Sequence, residues 1–211
     1  MNNYIVAHIP TTQVNQRPCI PMVAKYITIH STANLYSTAK NERDNLARVN
    51  NTVKASFHLV VDENEVYECI PFDEVAWHAG DGRGPGNTQS IAIEICESGD
   101  REKTLENAAT LVAELLKKFG WGIQQLRQHF DWSGKNCPRI LRMGDNWQKF
   151  LDSIEEKMIM SSTSNNNTHW AQESIDWCIE KGYFEQTDDF RPDDPLLRCE
   201  MAVILKRIFD K

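Results

Sequence analysis

SIAIEIC, residues Ser90–Cys96, gives way after a short polar stretch to TLENAATLVAELLKKF, residues Thr104–Phe119. The first run is short and rich in β-branched residues, as a buried strand requires. The second puts Leu105, Ala108, Ala109, Val112, Leu115 and Leu116 on one stripe of a 3.6-residue period. Thr104 reads as its N-cap and Gly120 as its stop. A strand handing over to an amphipathic helix is half of an α/β layer, and the preceding chain supplies more of the pattern. YITIH (Tyr26–His30) reads as a second buried strand. SFHLVV (Ser56–Val61) and VYECI (Val66–Ile70) flank the polar Asp62-Glu63-Asn64-Glu65, which predicts a hairpin. Lys40–Asn50 and Asp145–Met158 read as further helices, and the glycine-rich Gly80–Asn87 as a loop. Strands interleaved with helices predict an α/β domain with a mostly covered sheet.

The remaining sequence sets the outer organisation. A chain of 211 residues holds one ordinary domain and a small appendage. SSTSNNNT (Ser161–Thr168) is polar and of low complexity, so we divide the chain into 1–158, a linker over 159–168 and a tail over 169–211. In the tail, Trp170, Ile175, Cys178 and Ile179 form one apolar face and Met201, Val203, Ile204, Leu205, Ile208 and Phe209 another, with Gly182 between them. Two short helices bury little surface alone, so this piece is expected to dock on the first domain or on a copy of itself.

Composition excludes several classes. The net charge is -7 and no basic cluster occurs, which argues against a nucleic-acid partner. No apolar stretch reaches the length of a membrane span. Met1–Pro10 lacks a basic segment followed by an apolar run, so no signal peptide is expected. The cysteines Cys19, Cys69, Cys96, Cys137, Cys178 and Cys199 are scattered without a CxxC pair, which favours reduced thiols that mostly fill apolar space.

Five residues carry candidate chemistry. His30 closes the strand YITIH, while His129 and Cys137 lie close together in QHFDWSGKNCP, read as a loop after the long helix. Two imidazoles and a thiolate suit a tetrahedral zinc site with one position left for water. The spacing alone leaves the plainer reading open, in which a strand histidine and a turn cysteine are structural. Glu94 points to the strand face opposite Ile93 and Ile95. Burial there would raise its pKa and suit it to proton transfer, whereas an edge strand with one wet face would leave it ordinary. Lys135, two residues before Cys137, is either an oxyanion partner or a surface lysine.

ITIHSTAN, ASFHLVVDENEVYECIP, AWHAG, SIAIEI and HFDWSGKNCP occur in that order. Together they resemble the type 2 N-acetylmuramoyl-L-alanine amidases, a family that includes phage endolysins, bacillus and clostridial autolysins and the peptidoglycan recognition proteins. The resemblance runs from about Tyr4 to Lys157. It implies a mixed central β-sheet flanked by helices on both sides, and hydrolysis of the amide between N-acetylmuramic acid and L-alanine in peptidoglycan. It implies Zn2+ on His30, His129 and Cys137, Glu94 as the catalytic carboxylate and Lys135 as its helper at the carbonyl. Trp77 and His78 match a segment lining the substrate groove, with Asn34 and Gly80–Asn87 as further contacts. His58, beside the motif, is structural in the family. Several relatives carry a catalytic tyrosine where this chain has Phe57, so that role falls to Glu94.

The tail, from THWAQESIDWCIEKGYF to FRPDDPLLRCEMAVILKRIF, resembles one S-layer homology repeat, without the usual aromatic-plus-acidic start. This implies a helical cell-wall-binding module that holds a secondary cell-wall polymer or forms an oligomer. The absent leader fits a phage endolysin held in the host cytoplasm until release, and also an autolysin exported by another route. The alternative reading of the whole is a non-catalytic peptidoglycan-binding protein.

Overall fold

A computed structural model describes residues 3–163, 177–183 and 205–206. The chain divides into two units, Met1–Ile159 and Met160–Lys211. In the first, six strands form one sheet: β1 (Tyr4–Val6), β2 (Tyr26–Ser31), β3 (Leu59–Val61), β4 (Val66–Glu68), β5 (Ser90–Ile95) and β6 (Leu126–Gln128), in the order β1-β4-β3-β5-β2-β6. Only β3 and β4 pair antiparallel; β1–β4, β3–β5, β5–β2 and β2–β6 are parallel. The sheet is therefore mixed, as expected. The β3–β4 hairpin turns where the sequence puts four polar residues. Buried Asp62 holds it, its Oδ1 accepting from the backbone N–H of Asn64 at 2.8 Å and of Glu65 at 2.9 Å.

Helices cover both faces. Alternation in β2, β3 and β5 sends Ile27, Ile29, Leu59, Val61, Ile91, Ile93 and Ile95 to one side. There they pack on α3 (Arg101–Phe119), through Ala108, Leu111, Val112, Leu115 and Leu116, and on α5 (Asn146–Thr163), through Phe150 and Ile154. Val60, Ala92 and Cys96 face the other way and join Ala39 and Leu46 of α1 (Ala39–Leu46) with Phe57, Tyr67, Cys69 and Ile70. Cys69 and Cys96 thus fill apolar space, and Cys19, Cys69, Cys96, Cys137 and Cys178 are all free thiols. Cys199 lies outside the described residues.

Several boundaries differ from the sequence reading. The long helix starts at Arg101, with the Asp100 carboxylate accepting from Lys103 N–H at 3.1 Å; Thr104 is buried inside the first turn and donates to the Asp100 carbonyl at 2.8 Å. An aspartate four residues upstream wins the cap because it satisfies a free N–H at the helix end. Gly80–Asn87 contains all but the last residue of a one-turn helix, α2 (Pro85–Thr88), with Pro85 at its start. His129 does not lie on a loop: it opens α4 (His129–Ser133), directly after β6. β1 and β6 have no counterpart in the sequence reading. The helix α5 runs to Thr163, into the stretch read as a linker. Residues 164–168 and most of the tail, including both apolar faces except Cys178, Ile179 and Leu205, lie outside the described residues. Among the described residues, no helix is long and apolar enough to cross a membrane.

Candidate metal centre

The topology brings the chemistry to one edge of the sheet. β3, β5, β2 and β6 run parallel, so their carboxyl ends share a side, the usual place for a site in such sheets. His30 lies one residue from the end of β2, Glu94 one from the end of β5, and His129 immediately follows β6. Cys137 arrives on the loop after α4, which Gly134 ends in a left-handed conformation at φ 73°.

His30, His129 and Cys137 each offer one ligand atom, and these atoms all lie within 4.8 Å of one another. Cys137 Sγ is 3.8 Å from His30 Nδ1. All three residues are buried. The surrounding low dielectric keeps both imidazoles neutral, which is the ligand form. Desolvation drives His30 well below the ordinary histidine value, and it lowers His129 to about 4 with help from Lys135. Burial pushes the Cys137 thiol up to about 11, while the Ser31 N–H, 3.4 Å from Sγ, works in the opposite direction. His129 Nδ1 is buried without a protein partner. An orphaned nitrogen beside a second nitrogen and a sulfur is what a metal ion of zinc's preferences would satisfy.

Glu94 stands beside this cluster, with Oε1 4.0 Å from His30 Nδ1. Its other oxygen, Oε2, is buried and unpartnered. Burial first, then the nearby Glu42, raise its pKa to about 8, against a lowering by Lys135. The carboxyl is therefore poised near neutrality, the range in which proton transfer is most effective.

Two cavities flank the cluster. One, of about 510 Å3, is lined by His30, Glu94, Cys137, Phe57, Asn51 and Arg48 among others. The second, of about 890 Å3, reaches Gly80, Gly82, Arg83 and Asn87. Trp77, His78, His129 and Lys135 line both, so the two cavities adjoin at the donor cluster. Trp77 stacks under the Lys54 ammonium at 4.4 Å and leaves its indole N–H without a protein partner. Asn34 is not brought there. It lies exposed on a smaller neighbouring cavity with Thr32, Ser37 and Glu42, and its Oδ1 accepts from the Tyr36 N–H at 3.1 Å.

Sequence reasoning did not identify the residues that hold the cluster in place. Arg139 grips the buried Glu97 carboxylate through Nε, at 2.9 and 3.1 Å, and its backbone N–H donates to Ser31 Oγ at 3.3 Å. This ties the Cys137 loop to the ends of β2 and β5. Asn87 is buried and its Oδ1 accepts from the N–H groups of both His78 and Ala79 at 2.8 Å. An acid directly after the strand cysteine and an arginine directly after Cys-Pro were the available signals. His58 is structural: its Nδ1 accepts from Ala92 N–H at 2.9 Å, and its Nε2 donates to the Glu74 carbonyl at 2.8 Å.

A mixed sheet that brings two nitrogens and a sulfur together beside a half-buried carboxylate in an open groove has the donors with which a hydrolase could hold a metal ion. Comparison with known proteins gives the family. The model of the N-acetylmuramoyl-L-alanine amidase family matches residues 20–140. N-acetylmuramoyl-L-alanine amidase XlyB of Bacillus subtilis (strain 168) is 45% identical over 142 residues, covering 65% of this chain and 44% of XlyB. N-acetylmuramoyl-L-alanine amidase CwlA of the same organism is 38% identical over 196 residues, covering 89% of this chain and 71% of CwlA. The solved catalytic domain of XlyA superposes with a TM-score of 0.68 at 39% identity, covering 72% of this chain and 99% of that domain. The chain belongs to the N-acetylmuramoyl-L-alanine amidase family.

Proposed function

We propose that this protein is a zinc-dependent amidase that hydrolyses the bond between N-acetylmuramic acid and L-alanine in bacterial peptidoglycan. The observation that carries the reading is the meeting of His30, His129 and Cys137 donors within 4.8 Å, beside a raised-pKa carboxyl in a groove. Family membership and the activity named for the relatives support the substrate.

The two histidines and Cys137 would hold zinc, which supplies an activated water at neutral pH and polarises a carbonyl. Glu94 accepts a proton from the attacking water as its oxygen bonds to the lactyl carbonyl carbon. The Lys135 ammonium stabilises the negative charge that develops on the carbonyl oxygen. When the carbon–nitrogen bond breaks, Glu94 returns its proton to the departing alanine amine. The products are a lactyl carboxylate and a stem peptide with a free amino end. Trp77, His78 and the Gly80–Asn87 loop border the groove where glycan and peptide would lie. Cys137 supplies the third donor, which favours cutting over a purely wall-binding role.

The tail, 169–211, is proposed as a cell-wall-binding module of the S-layer homology type, on its sequence pattern alone. Action on the wall after release as an endolysin or autolysin is part of the same reading. Digestion of purified cell walls, with and without a chelator, tests the activity. New alanine amino ends that appear only in the metal-replete reaction are the expected result. New reducing sugar ends, or chelator-resistant cleavage, would overturn it.

A further inference from the structure

His78 lies against the cluster but offers it no ligand atom of its own. Its Nδ1 is 3.0 Å from His30 Nε2, and its Nε2 is 3.3 Å from the Ser90 carbonyl. The carbonyl can only accept, so the His78 proton sits on Nε2. Its Nδ1 then carries a lone pair and accepts, and His30 must be protonated on Nε2. That leaves the His30 lone pair on Nδ1, the nitrogen that faces Cys137 Sγ. The chain of hydrogen bonds thus selects one tautomer of His30 and fixes its ring, the rings of His30 and His78 meeting edge to face at 85°.

The second imidazole also keeps a nitrogen open, His129 Nδ1 being buried and unpartnered. A single buried side chain holds the His78 segment in place, because Asn87 Oδ1 accepts from the N–H groups of both His78 and Ala79. Both ring nitrogens of His78 are therefore engaged by protein, and neither is free to contact substrate.

We infer that His78 is a positioning residue for the metal centre, orienting the His30 imidazole toward the ion through a hydrogen bond, rather than a substrate contact. The inference rests on the zinc reading of the site. Outer partners of this kind set ligand orientation and basicity, and their loss typically costs 10–100-fold in metal affinity.

The test is zinc affinity, measured by competition with a chromogenic chelator on the full chain. Wild type, His78→Ala and His78→Asn are compared, with metal-free melting temperatures recorded alongside. Asparagine places an acceptor oxygen near the position of Nδ1. His78→Ala is expected to weaken zinc binding by roughly 10–100-fold, and His78→Asn to recover most of that loss. Equal zinc affinity in all three, or equal weakening in both variants, overturns the inference while leaving the zinc reading intact. A wild type that takes up no zinc overturns both. Should His78→Ala not fold, nitrogen-15 NMR of the zinc-loaded wild type decides. His30 protonated on Nε2, with coupling across the bond to His78 Nδ1, is the expected signature, and a proton on His30 Nδ1 overturns it.

Discussion

Glu94 is the register partner of His30 across the parallel β2–β5 ladder, and its Oε1 lies 4.0 Å from His30 Nδ1. Adjacent parallel strands put partnered residues on the same face. The proposed metal ligand and the proposed proton carrier are therefore held together by ladder hydrogen bonds rather than by loops. The neighbouring positions, Ile29, Ile93 and Ile95, point into the opposite core and are fully buried, which anchors the pair. The site's precision thus comes from the same alternation that builds the core.

Glu94→Gln separates proton transfer from metal binding. The amide keeps the shape but cannot accept a proton at neutral pH. Turnover on purified walls should fall by roughly 10²–10⁴-fold, with zinc content unchanged by elemental analysis. Activity within a few-fold of wild type would remove Glu94 from the mechanism.

Cys137→Ser addresses the sulfur. A neutral hydroxyl is a poor zinc ligand, although the Ser31 N–H, now 3.4 Å from Sγ, could still donate to it. Metal content after dialysis should drop well below that of wild type, and activity should return only with excess zinc. Undiminished zinc would show that this residue is not a ligand.

Much of this was legible in the chain. Ile-Glu-Ile within SIAIEIC marked Glu94 as a carboxylate in an apolar strand, and YITIH marked His30 in the same way. Period-2 alternation is a local signal, so β2 and β5 could be read from it. That His30 would meet His129 and Cys137 is a long-range fact: their donor chemistry offers it as one reading of two, and the resemblance decides for it. The edge strands β1 and β6 have three residues each, too few to show a period, and LRQ is polar as well. The roles of Asn87, Glu97 and Arg139 depend on contacts between distant segments that no sequence window contains. The Thr104 cap was misassigned because a buried threonine inside a first turn reads like a cap, and Asp100 lay just beyond the apolar stripe.

Gly80→Ala should loosen the site from a distance. Gly80 has φ +71°, a left-handed conformation costing an L residue about 1 kcal/mol. An added Cβ would also stand 3.2 Å from Ser133 Oγ and 3.6 Å from His129 Nε2. Only the Ser133 contact is tighter than ordinary, so its relief falls on the last residue of α4, the helix that opens with the proposed ligand His129. The metal-free protein should lose roughly 1–2 kcal/mol in a denaturant titration, and zinc should bind more weakly. Unchanged stability and unchanged affinity would mean that the loop yields without moving α4.

Glu97→Gln tests the strap that holds the Cys137 loop, and pH supplies the internal control. Arg139, paired directly with the Glu97 carboxylate, is the main cause holding that group below the ordinary glutamate value, and Ser31 adds to it. A folded-state pKa below the unfolded one means that the unfolded chain binds more protons in mild acid. The stabilisation is therefore fully present above about 4.3, the unfolded value, and is lost as pH falls through the lower folded value. Arg139 is half exposed, so solvent screening keeps the effect modest. At pH 7 the variant should melt a few degrees below wild type, and the gap should close as the pH drops below the ordinary carboxylate range. A gap of constant size across that range would show that Glu97 acts through packing and not through its charge.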